Sequence, residues 1–183
     1  MNNFDQQKII QVVLYILNKT GGIDYYHLFK IIYFAELKHL AKWGSRIIKD
    51  DLCALGYGPV PTALYDAVKG KNAVCTHLAD LMKATTAFAG DDAPNVLLPK
   101  EDVDMDYISR SEIEALDESI KENASLTFGQ LKDRLHDRAW HEAYYRQDGN
   151  KIISPVTMAQ VMNADEATIE YIKEQMELED ELL

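Results

Sequence analysis

Cys75 and His77 stand two residues apart and His136 and His141 five apart; with Cys53 they are the obvious candidates for metal binding or nucleophilic catalysis. A structural zinc ion needs four converging ligands, usually from paired Cys-x-x-Cys steps, and a catalytic one often uses His-Glu-x-x-His on one helix face. Neither spacing occurs, so no metal is expected and these side chains read as packed or surface residues. The two cysteines could pair only once, and nothing else points to an oxidising compartment. Both are read as reduced, buried thiols.

Phosphate and acyl chemistry fare no better. The Gly-Tyr-Gly-Pro-Val run at 56–60 lacks the spacing of a phosphate loop, and Pro59 removes a backbone donor such loops use. There is no Gly-x-Ser-x-Gly elbow, and the scattered Ser, His and Asp residues show no spacing that by itself identifies a triad. The chain is therefore expected to be no enzyme and to carry no cofactor. Its aromatic residues suit a different task. Tyr25, Tyr26, Tyr33, Tyr57, Tyr65, Tyr107, Tyr144, Tyr145 and Tyr171, with Trp43 and Trp140, include several of the type that anchors protein interfaces, combining apolar area with a polar tip, while most of them are expected in or against the core.

The elements that must position them are mostly helical. Ile9, Val12, Val13, Ile16 and Leu17 form one stripe of a first helix from about Asp5 to Asn18, stopped by Gly21-Gly22. Asp24 then sits at the N-cap of a helix apolar on so much of its circumference that several neighbours must cover it; Gly44 ends it. In ALGYGPVPTALYD, Pro59 and Pro61 limit the backbone while Gly56 and Gly58 permit unusual dihedrals, giving a rigid corner into a helix over 62–68. Tyr57 and Tyr65 would flank that corner. A short helix over 73–82 precedes two strands, 85–89 and 95–98, around Gly-Asp-Asp-Ala-Pro, the one clear hairpin. Helix, helix and hairpin in this order is winged-helix-like.

After the acidic connector 101–106, Ser109 or Ser111 opens a helix, Ser111 having capping-box spacing to Glu114, and Thr127 repeats the device with Gln130. Pro155 suits a first helical turn, and 164–183 forms a last, acidic helix. The fold class is mainly α (α+β), a single-domain helical bundle with one small hairpin, which suits 183 residues.

Net charge is −11, split between +3 over residues 1–90 (10 Lys and Arg, 7 Asp and Glu) and −14 over 91–183 (9 and 23). Such a half repels phosphates, which disfavours nucleic acid and suits a basic protein partner. No apolar run approaches the ~20 residues of a membrane span and the first residues do not read as a signal peptide, so a cytoplasmic, membrane-free protein is expected.

LFKIIYFAELKHLAKWG, LGYGPVPTALYD, SRSEIEALDESI and LHDRAWHEAY resemble, in this order and spacing, the SocA-like antitoxin family built on the Panacea domain, often labelled phage-associated proteins. The resemblance spans about residues 5–162, within a 1–162 domain, and leaves 163–183 as an added acidic helix. It implies a bacterial antitoxin that holds a co-encoded toxin in an inactive complex. The alternatives are an adaptor that delivers the toxin to an AAA+ protease, as the founding type does, and a DNA-binding regulator. The motif positions carried over are Lys30, Tyr33 and Phe34, then Tyr57, Gly58, Pro59 and Val60, then His136 and Trp140, with Tyr65 beside them as a candidate contact.

Overall fold

The computed structural model describes residues 1–70 and 76–181. Helix α1 (Asn3–Thr20) opens two residues before Asp5, because Asn2 caps it. The Asn2 side chain accepts from the Asp5 N–H at 2.9 Å and the Asp5 carboxylate accepts from the Asn2 N–H at 3.1 Å. Every residue from Ile9 to Leu17 is buried, so α1 is covered all round and not along one stripe alone. Gly21 closes it at φ +70° and Gly44 closes α2 (Tyr25–Trp43) at φ +65°, a conformation open to glycine at little cost. Asp24 caps α2, accepting from the His27 N–H.

The corner is itself a hairpin. Strands β2 (Leu52–Leu55) and β3 (Gly58–Pro61) pair antiparallel, Leu55 opposite Gly58, with Gly56 and Tyr57 as the two-residue turn. This second hairpin was not expected from the sequence. Helix α3 (Thr62–Lys69) follows at once, and α4 runs Thr76–Thr85; Cys75 and the predicted helix start at 73 lie outside the described residues. Cys53 is a half-buried free thiol. The predicted hairpin is present as β4 (Thr86–Phe88) and β5 (Val96–Pro99), and β1 (Ile23–Asp24) joins its other edge to give the order β1-β5-β4, all antiparallel.

A single 3-10 turn, Met105–Tyr107, sits in the acidic connector. Helix α5 (Arg110–Asn123) is capped by Ser109, one of the two serines expected there, and its capping box is formed with Glu112 and not between Ser111 and Glu114. Thr127 and Gln130 form the expected box at α6 (Phe128–Arg134). Then come α7 (Arg138–Tyr144), α8 (Pro155–Val161) and α9 (Glu166–Glu181).

Two apolar clusters share α2. Leu28, Phe29, Ile31, Ile32 and Ala35 face the first, with α1, α3, α4, β5 and α5. Tyr33, Phe34, Leu37 and Leu40 face the second, with β2, α6, α7, α8 and, through Ile169 and Ile172, α9. An apolar surface on so much of α2 thus has a covering element on each side.

Candidate functional site

Polar side chains inside α2 fix the segments around it. Lys30 is fully buried, and its amine donates to the Pro59 carbonyl at 2.5 Å while lying 4.8 Å from the centre of the Tyr26 ring. Burial lowers its pKa to about 7. One turn on, the Tyr33 hydroxyl donates to Asp137 Oδ2 at 2.7 Å. Asp137 Oδ1 accepts from the Trp140 N–H at 2.9 Å, which makes Asp137 the cap of α7. Burial raises the pKa of both Asp137 and Tyr33. Glu36, in the next turn, accepts from the Ile47 and Ile48 N–H groups at 3.1 and 2.8 Å, and burial raises its pKa too.

The hairpin turn is gripped from a second side. Trp140 Nε1 donates to the Leu55 carbonyl at 2.9 Å, and the indole is stacked between His136 and Tyr144, each with its ring centre 4.5 Å away. Of the two glycines at the corner, Gly58 alone takes positive φ, +99°, and a Cβ there would come within 2.9 Å of Leu135 Cδ1 and 3.2 Å of Lys30 Nζ. Lys30, Gly58, Pro59, His136 and Trp140 therefore converge on one corner, and Tyr33 is tied to it through Asp137, the cap of the helix that carries Trp140. Val60 is buried in the first cluster, on the strand that leaves the corner. Phe34 lies beside Tyr33 under the Arg134 guanidinium, 5.1 Å from its ring centre.

Tyr65, carried on α3, packs partly buried on the first cluster, its ring centre 6.0 Å from that of Phe29. Tyr57 remains at the tip, 67% exposed, edge-on with Phe128 at 5.9 Å, and Phe128 packs in turn on Tyr26 at a tilt, their ring centres 4.4 Å apart. Beyond Trp140, exposed Tyr145 sets its edge against Tyr144. The gripped interior thus carries an aromatic exterior of Tyr57, Phe128 and Tyr145, with Leu55 exposed on the hairpin.

Chemically, Lys30 and Glu36 are each engaged by backbone partners and Tyr33 by the Asp137 carboxylate, and the aromatic face is suited to contact with another macromolecule. Among the described residues no three His, Cys, Asp or Glu side chains gather as metal ligands would. Sequence reasoning missed Asp137 and Phe128. Their signals were local, an Asp three residues before Trp140 and an apolar residue following the Thr127 cap.

Residues 28–141, well over half of the chain, match the family model described as "Antitoxin SocA-like, Panacea domain". The chain belongs to the SocA-like, Panacea-domain antitoxin family. No curated protein and no solved structure matches. The matched span begins on α2, ends on α7, and contains Lys30, Tyr33, Gly58, Pro59, His136, Asp137 and Trp140, while Tyr26 and Tyr144, which pack on Lys30 and Trp140, lie just outside it. None of the described helices is long and apolar enough to cross a membrane.

Proposed function

We propose that this protein is the antitoxin of a co-encoded toxin and neutralises it by direct binding, without catalysing a reaction. The observation that carries the reading is the match of residues 28–141 to the antitoxin domain. The corner supports it. Binding costs less when the contacting surface is already ordered, and the tip bearing Tyr57 is held by Lys30 from one side and Trp140 from the other. Tyr57, Phe128 and Tyr145 supply anchors of the kind that dominate interface energetics.

The test is to express the neighbouring gene alone, with this protein, and with its Tyr57→Ser/Phe128→Ser variant, following growth and the half-life of the neighbour's product. Toxicity relieved by the wild type, with the toxin persisting at full length in a complex, is the expected result. Relief accompanied by disappearance of the toxin would instead assign the protein to protease delivery. No toxicity, or toxicity without rescue, overturns the reading. Rescue undiminished in the variant places the interface elsewhere.

A further inference from the structure

Helix α9 covers the second cluster with Ile169 and Ile172 and leaves another apolar stripe open. Ala167, Tyr171 and Leu178 follow at i, i+4 and i+11, which puts them on one side of the helix, with Tyr171 46% and Leu178 52% exposed. The Tyr171 ring lies against Gly44, where a Cβ would come within 2.6 Å of it, and the preceding Trp43 is 50% exposed. The stripe on α9 therefore meets the end of α2 at Gly44.

What covers this stripe is indicated by the charge beside it. Glu166, Glu170, Glu174, Glu177 and Glu181 recur at i, i+4, i+8, i+11 and i+15, forming an adjacent row along the same helix. Among the described residues the ion pairs of α9 are Lys173 with Glu170 at 2.6 Å and Lys49 with Glu179 at 3.3 Å. Like charges four apart on a helix repel, so the row is destabilising in isolation and is relieved by cations laid along it. A phosphate-bearing ligand would be repelled by the same row.

We propose that this face of α9 docks a basic amphipathic segment of a partner protein, its apolar side chains on Tyr171 and Leu178 and its Lys or Arg residues against the glutamate row. The helix lies outside the matched antitoxin segment, so the inference does not rest on the toxin reading.

A fluorescent peptide of about 18 residues, five helical turns, with leucine and lysine at helical spacing serves as the probe, alongside a serine–lysine peptide of equal charge. The full-length protein is expected to bind the leucine–lysine peptide at least about tenfold more tightly in low salt, with amide shifts mapping to α9 and the end of α2. Tyr171→Ser/Leu178→Ser, which keeps every charge, and Glu170→Gln/Glu174→Gln/Glu177→Gln, which keeps the apolar stripe, should each weaken it by about tenfold or more. All five positions are exposed, so both variants are expected to fold, which circular dichroism checks. Equal affinity for the serine–lysine peptide, unchanged binding by either variant, or shifts confined to other elements would overturn the proposal.

Discussion

Lys30 places an amine where water cannot reach it, with one carbonyl partner and the face of Tyr26 in place of a hydration shell. Its pKa falls from the ordinary 10.5 to about 7, so between those values the unfolded chain binds a proton that the folded chain has released. Stability must then gain with rising pH across that window. Burial raises the Cys53 thiol above 9 and Tyr15, Tyr26 and Tyr33 above 10, which tilts the curve the other way from near pH 9 upward and leaves pH 7 to 9 as the clean interval. Thermal melts of the wild type and Lys30→Met across it should diverge, the wild type gaining on the variant as pH rises. Loss of the Pro59 bond displaces the variant's curve without tilting it, so parallel curves would contradict the burial argument. Gly58 gives a second test at this scale. Gly58→Val combines positive φ with contact against Leu135 and should cost about 2–4 kcal/mol in urea denaturation. Gly56→Ala, with ordinary φ and only the Tyr144 hydroxyl at 3.8 Å, should change stability by less than about 0.5 kcal/mol.

Helix α3 shows how an element can be capped from outside its own neighbourhood. Its N-cap position is Pro61, whose side chain offers no acceptor. Asp50 supplies one from a distance: Oδ1 accepts from the Ala63 N–H and Oδ2 from the Leu64 N–H, both at 2.9 Å, and Thr62 Oγ1 donates to Oδ1 at 3.2 Å. Asp50→Ala should cost about 1–3 kcal/mol and speed hydrogen exchange at the Ala63 and Leu64 amides, with Asp50→Asn intermediate. Unchanged exchange at those two amides would show that the carboxylate does not hold the helix. This capping was illegible in the sequence because cap signals are read within three residues of the helix, and Asp50 lies 13 before Ala63. The local caps Asp24 and Thr127 were legible for the same reason. Hairpin β2–β3 was hidden by Pro59 and Pro61, which argue against a strand. They are accommodated because they lie opposite Ala54 and Leu52, whose backbone groups turn to Lys151 and Ile153 on the other side of β2. In the candidate site, Lys30, Tyr33, Gly58 and Trp140 were recognisable as motif positions. Their convergence was not, since Asp137 and the Leu55 carbonyl join them only through packing distant in sequence.

At the scale of the molecule, two apolar clusters with one shared helix could behave as two folding units or as one. The polar contacts decide for one. Lys30 and Tyr33 tie α2 to β3 and α7, Glu36 ties it to the 47–48 segment, and the Ser119 hydroxyl donates to the Ile31 carbonyl at 2.7 Å from within α5. Loosening either cluster would leave buried donors or acceptors on α2 unpaired, at about 1–3 kcal/mol each, so partial unfolding is disfavoured. Leu64 is fully buried in the first cluster and Trp140 is buried in the second, which separates perturbation from probe. Leu64→Ala should cost about 2–5 kcal/mol. In urea, the indole environment followed by fluorescence in a Trp43→Phe background should move to the same lower midpoint as helix content followed by circular dichroism. A tryptophan transition that stays at its original midpoint while the helical signal shifts would mean that the clusters unfold separately. The shared helix would then be a hinge, and the first cluster could open while Trp140 still held the corner.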